Sequence, residues 1–438
     1  MRTPELRGLP LAGSLFAVWR DRLGVVTAAR ELGGVASFHM GRRRLYVVND
    51  PLHVRHVLVD NEINYRKGVG LDHARSLLGE GLLTSEGEVW RRQRKRVEPA
   101  FARARINDYT PVMRTATDEL LARWERPARA RTPIDLSAEL RALTLEIFMR
   151  TLFETRAGES AQAVERALTL LLDEAIRRML LPLPRSERLR TRRARRVERA
   201  LALLGRQVDE LLARRSAGVG GAGSDLLSAL VAAREERGAG IGRAPLPAST
   251  RAQDEHGCTR LRDELLTLIV AGHETTAVAL SWTLYLLGTH PRVAEDVRVD
   301  RSQLRPVVKE ALRMYPPVWL IPRRTIAADQ LGGHAIPAGA DVLISPYALH
   351  RDPRAWDRPE SFSPARFDVA GPQRIYLPFG LGPRNCVGSA FALVEIELVL
   401  SAILDRYRLR PAESRRPRPN PLLTLRPPDP FPFSVEAV

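Results

Sequence analysis

The chain of 438 residues has two cysteines, three lysines, few aromatics and no long unbroken apolar run. With only Cys258 and Cys386, a disulfide framework is excluded and a reducing compartment fits. Neither cysteine has a partner at ligand spacing, which argues against a structural zinc site. No run of about 18 or more apolar residues is present. The opening Met1-Arg-Thr-Pro-Glu-Leu-Arg7 resembles neither a signal peptide nor an anchor. The expectation is a cytoplasmic protein without a transmembrane segment. The only lysines are Lys67, Lys95 and Lys309, so the net charge of +17 is carried by arginine. A basic surface attracts nucleic acid, anionic membrane or an acidic protein. No nucleic-acid motif accompanies it, and an acidic protein partner is the reading that fits the rest of the sequence.

Hydrophobic residues make up 44% of the chain, enough for a sizeable core. Val35–Met40 and Leu45–Val48, separated by Gly41-Arg-Arg-Arg44, read as two strands and a turn. Asp50 and Pro51 read as the N-cap and first residue of a helix. Residues 107–215 read as amphipathic helices, with Asp135 as a cap and a break at Leu180-Leu-Pro-Leu-Pro184. Ser216–Ser224 reads as a linker, and 237–257 as a long loop without periodicity.

The residues that carry chemistry lie further on. Phe379-Gly-Leu-Gly-Pro-Arg-Asn-Cys386-Val-Gly388 is a glycine-rich loop followed by an apolar helical run, Ser389–Leu400. A thiolate there faces the positive end of a helix and backbone N–H groups. It would attack something or bind a metal; a buried, inert thiol is the bland alternative. Gly382 and Gly388 let something flat approach the backbone. Arg262–Leu287 reads as an apolar helix with abrupt polar residues at its centre, His273-Glu-Thr-Thr276. Buried carboxyl and hydroxyl groups need hydrogen-bond partners, and a Thr can bond back to a carbonyl one turn earlier. Glu310 and Arg313 share a helix face, and Arg366 follows in Pro364-Ala-Arg-Phe367.

Together these motifs resemble the cytochrome P450 family. Its haem-binding loop, Phe-x-x-Gly-x-Arg-x-Cys-x-Gly, matches at Phe379, Gly382, Arg384, Cys386 and Gly388. The resemblance covers residues 5–436 and implies a mainly α fold: a single large helical domain over 1–438. Its minor β region would fall near 30–50, 320–345 and 405–436. It implies Cys386 as the thiolate ligand of haem b iron, a ligand type that favours O–O cleavage. Phe379, Gly380 and Gly388 would line the cofactor, as would Ala271 and Gly272, with Gly272 admitting a ligand or water. Trp90, Arg94, Arg384 and Arg324 would hold its propionates, Arg323 being the alternative to Arg324. Glu274 and Thr275 match the acid–alcohol pair that holds a water and relays protons, with His273 and Thr276 as structural neighbours. Glu310, Arg313 and Arg366 match a structural cluster, although Ala365 stands where the family usually has Glu. Val318, Leu320 and Leu423 would border the substrate, and His350 would be structural. The connection from Arg292 to Val308 is shorter than usual.

The implied function is monooxygenation of an apolar small molecule (a terpenoid, polyketide or fatty acid) in bacterial secondary metabolism. Dioxygen is the co-substrate. Electrons would come from NAD(P)H through a ferredoxin reductase and a ferredoxin, delivered to a monomer. The basic stripe Arg91, Arg92, Lys95 and Arg96 is the expected landing site. A haem-thiolate enzyme that couples or isomerises without oxygen insertion, and a haem sensor, are the alternatives.

Overall fold

A computed structural model describes residues 3–9, 13–71, 75, 79–155, 161–180, 191–216, 227, 248–368 and 375–438. The expected break at 180–184 beyond Leu180 and the linker at 217–224 lie outside the described residues. The described chain is mostly helical, with small sheets, and forms two compact units.

The first unit comprises Met1–Asp72, Val278–Cys386 and Leu409–Asp429. Its centre is a five-stranded sheet in the spatial order Val35–Met40, Arg43–Val48, Asp341–Ile344, Ile321–Thr325, Tyr65–Lys67. The first two strands form the expected hairpin, closed at Gly41 with φ 59°. Arg43–Val48 runs parallel to Asp341–Ile344, with Leu45 opposite Asp341. Val48, Val57, Ile336, Val342, Ile344 and Leu377 are among the residues of the core over this sheet. Asp50 caps the Pro51–Arg55 helix, its Oδ1 accepting the Leu52 N–H at 2.8 Å. Tyr315 stacks on Trp282, with ring centroids 4.0 Å apart and planes within 5°. The Leu304–Met314 helix follows the short Pro291–Val299 helix after a single 3-10 turn, Arg301–Gln303.

The second unit comprises His73–Ala277, Val387–Arg408 and Pro430–Val438. It is built of helices: Gly87–Val97, Arg103–Ala130, Leu136–Phe153, Ala161–Leu180, Arg192–Ser216 and Ser389–Arg406. Leu136–Phe153 has buried residues on nearly every side, the mark of a helix inside a core. Asp135 caps it by accepting the Ala138 N–H at 3.3 Å. Ile134–Asp135 also pairs with Pro432–Ala437, Phe433 opposite Ile134.

The long helix departs from expectation at its start. It runs Ala248–Thr289, so 248–257 is helical, not loop. That segment has no apolar periodicity, but it contains neither Gly before Gly257 nor Pro after Pro247, and its residues tolerate a helix. The stretch Leu261–Thr289 is long and apolar enough to cross a membrane, with mean hydropathy 1.3, yet 83% of its apolar window is buried in protein. It is a core helix.

Candidate haem-thiolate site

The cysteine loop belongs to the first unit, and its geometry can be traced back to the Leu304–Met314 helix. Glu310 and Arg313 are both fully buried there. Arg313 Nε and Nη2 donate to the two carboxylate oxygens at 2.7 and 2.9 Å. Arg366 Nε adds a bond to Glu310 Oε1 at 2.9 Å, as does the Ser363 N–H at 3.0 Å. The remaining Arg313 donor capacity goes to the carbonyls of His350, Pro359 and Ser361. A buried ion pair with every group satisfied is the arrangement that low dielectric tolerates.

His350 passes that order on to the loop. Its Nδ1 lies 3.2 Å from the Arg313 carbonyl, which fixes the proton there, and its Nε2 accepts the Leu377 N–H at 2.8 Å. Burial holds its imidazole down at about 3. From Leu377 the chain turns through Gly380 and Gly382, at φ 74° and 73°. Gly382 is also fixed by space, since a Cβ there would come within 2.0 Å of the Leu58 carbonyl oxygen. The Asn385 N–H donates to the Gly382 carbonyl, and the Cys386 N–H to the Phe379 carbonyl at 2.9 Å. These bonds present Cys386 with its side chain exposed and outside any disulfide. Phe379 and Arg384 are half-buried beside it.

Arg324 lies in the sheet of the same unit. Its Nε and Nη2 take Asp341 Oδ1 at 2.9 and 2.8 Å, and Arg43 takes Oδ2 at 2.7 Å. Arg323, its neighbour on the strand, points to the opposite face. Val318 is exposed and Leu320 and Leu423 half-buried. Their segments are tied together: the Trp319 indole donates to the Leu422 carbonyl at 2.7 Å, and the Leu425 N–H to the Pro317 carbonyl at 2.9 Å.

The acid–alcohol motif belongs to the second unit. From Leu261 to Leu287 the helix is buried or half-buried except at Ala271, which is exposed. Thr275, one turn on, is half-buried and donates its Oγ1 proton to the Ala271 carbonyl at 2.8 Å. Glu274 is 1% exposed. At Gly272 space is tight. A Cβ there would meet the Phe148 ring at 2.1 Å, so the glycine accommodates a neighbouring helix. His273 and Thr276 are structural: His273 Nδ1 bonds the Ile269 carbonyl at 2.7 Å, and the His273 carbonyl accepts from Thr144 at 2.9 Å. Thr276 bonds the Gly272 carbonyl and the Glu395 carboxyl, which burial raises well above its ordinary range.

Trp90 and Arg94 share a face of Gly87–Val97. Trp90 is buried, and Arg94 is mostly buried and lies 3.7 Å from Glu98. The basic stripe is narrower than expected. Arg92 and Lys95 are exposed and Arg91 pairs with Glu88, but Arg96 is half-buried with Nη2 out of contact with water. Sequence reasoning missed Glu264 and Thr267, buried polar groups on the long helix.

Each half fits a haem. A sulfur donor stands exposed in a glycine-rich loop, and from Leu261 to Leu287 a buried helix opens only at Ala271, beside the Thr275 hydroxyl. The sequence pattern of the cytochrome P450 family matches residues 3–435. The chain belongs to that family. As a P450 it is a haem-thiolate monooxygenase that uses dioxygen, an apolar substrate and electrons from redox partners. It is 35% identical to cyclooctatin synthase of Streptomyces melanosporofaciens, over 95% of this chain and 92% of that one. It is 34% identical to cyclooctat-9-en-7-ol 5-monooxygenase of the same organism, over 92% and 88% of the two chains. Pentalenene oxygenase of Streptomyces avermitilis is 31% identical, over 95% and 93%.

Proposed function

We propose that this P450 hydroxylates a cyclic terpenoid in bacterial secondary metabolism. The observation that carries the reading is its near full-length similarity to three Streptomyces proteins, two of them named for oxidising pentalenene and cyclooctat-9-en-7-ol. The chain is read as one P450 domain, because the family match runs through both compact units. The protein acts as a cytoplasmic monomer.

Cys386 would bind the iron of haem b, with Phe379, Gly380, Gly388, Ala271 and Gly272 lining the macrocycle. Trp90, Arg94 and Arg384 would hold the propionates; Arg324 would join them by sharing its guanidinium with Asp341. When bound, the haem supplies the oxygen chemistry, in which one atom of dioxygen enters the substrate and the other leaves as water. Thr275 Oγ1, with its proton on the Ala271 carbonyl, keeps lone pairs to hold a water. The Glu274 carboxyl would supply protons to that water. Val318, Leu320 and Leu423 would exclude solvent and shape the apolar wall. Two electrons would come from NAD(P)H through a ferredoxin reductase and a ferredoxin.

The test is direct. Purified protein reconstituted with haem, reduced and exposed to carbon monoxide should give the spectrum of a thiolate complex, and Cys386→His should give a histidine-like one. With ferredoxin, its reductase, NADPH and labelled dioxygen, a terpenoid panel should yield a product carrying one labelled oxygen. A thiolate spectrum with unlabelled, rearranged or coupled product would replace monooxygenation with the coupling or isomerising chemistry.

A further inference from the structure

Arg324 stands on a strand with opposite charges on its two sides. Across one side it is in register with Asp341, and across the other with Arg66. Directly opposed residues of neighbouring strands share a face of the sheet, so the three side chains rise together. A like charge directly across repels, and an opposite one attracts. Arg66 is exposed, whereas Asp341 is 3% exposed. The Arg324 guanidinium accordingly turns to Asp341, whose Oδ1 accepts Nε at 2.9 Å and Nη2 at 2.8 Å.

Asp341 is itself held in place. Its Oδ2 accepts from Arg43 Nη2 at 2.7 Å, and its Oδ1 accepts the Val69 N–H at 3.3 Å. Bonds from three segments of chain fix the carboxylate. A planar guanidinium gripped through two of its nitrogens then has one orientation. A buried ion pair adds little net stability over apolar residues of similar volume. The rest of the strand, Val342, Leu343 and Ile344, is apolar and buried, so stability alone does not account for a carboxylate at its start.

We propose that Asp341 is a positioning residue for the cofactor: it aims the Arg324 guanidinium at a haem propionate and, by sharing that charge, sets how readily the haem is reduced. The inference rests on the reading above of Arg324 as a propionate holder. Arg43, Asp341 and Arg324 together carry one net positive charge, and without the carboxylate they would carry two. Reduction adds an electron, so positive charge nearby favours it. Asp341 therefore orients Arg324 and at the same time restrains its pull on the potential.

Haem transfer to apomyoglobin and spectroelectrochemical titration of the haem-loaded protein test the assignment. Asp341→Asn should release haem about tenfold faster, as happens when a group that orients a ligand-holding side chain is lost. It should also shift the equilibrium about tenfold toward the ferrous form, about 59 mV for one electron. Asp341→Glu, which keeps the carboxylate, should stay near the wild-type potential and controls for disturbed packing. Arg324→Leu should release haem faster on its own, and adding Asp341→Asn to it should raise the rate no further. Faster release with an unmoved potential, or an equal rise in the Arg324→Leu background, makes Asp341 a fold-stabilising residue only and overturns the assignment. If Arg324→Leu speeds release while Asp341→Asn changes neither rate nor potential, the assignment falls and Arg324 keeps its propionate role. If Arg324→Leu releases haem at the wild-type rate, the propionate role of Arg324 fails, and the role of Asp341 with it.

Discussion

Glu310 holds two arginines where no water reaches. Its replacement by alanine would leave Arg313 and Arg366 buried without a counter-charge, which costs about 3–5 kcal/mol. The urea midpoint should fall accordingly, and haem retention should fall with it, because His350 and the cysteine loop hang from Arg313. Replacement that leaves the midpoint unchanged would show that the cluster is bystander packing. The spacing of Glu310 and Arg313 and the place of Arg366 were legible in the sequence. Their other partners, the carbonyls of His350, Pro359 and Ser361, were not, since a main-chain acceptor has no signature in residue identity. Main-chain acceptors also engage Arg366 where Ala365 offers no carboxylate: its Nη1 and Nη2 take the carbonyls of Asp357 and Ser361.

Helices and strands were legible where a local signal fixes them. Asp50 with Pro51, Asp135 before Leu136, and Gly41 in its hairpin all mark boundaries by side-chain or φ requirements. Tyr65–Lys67 was missed because its only reason to be a strand is Ile321–Thr325, far along the chain. The start at Ala248 was missed because a polar helical segment has no apolar stripe to announce it. His350 ties the Leu304–Met314 helix to the cysteine loop and carries a pH dependence. Its imidazole titrates at about 3 when folded against 6.5 in the ordinary case, through burial first. The unfolded chain therefore binds more protons between those values. The stabilisation is full above about pH 6.5 and is lost as pH falls toward 3. Urea midpoints measured from pH 7 to pH 4 should drop more steeply for the wild type than for His350→Asn, and matching slopes would remove His350 as the cause.

The charge of the protein as a body, +17, would suit the ferredoxin proposed above, to which only part of the stripe on Gly87–Val97 would be open. Reversing Arg92 and Lys95 to Glu should slow electron transfer from ferredoxin by about tenfold at low salt and by less at high salt. Substrate affinity should not change. Stopped-flow reduction that is unaffected would move the landing site elsewhere.

The chain passes between its two compact units after Asp72, Ala277, Cys386, Arg408 and Asp429. Neither unit can therefore be finished until residues far along the chain from its first segment have been made. The strand Pro432–Ala437 closes onto Ile134–Asp135, which was made far earlier in translation and has waited for it. An apolar helix such as Leu136–Phe153 spends that interval without its final cover, so yield in a foreign host should depend more on chaperone supply and growth temperature than on the stability of the finished enzyme.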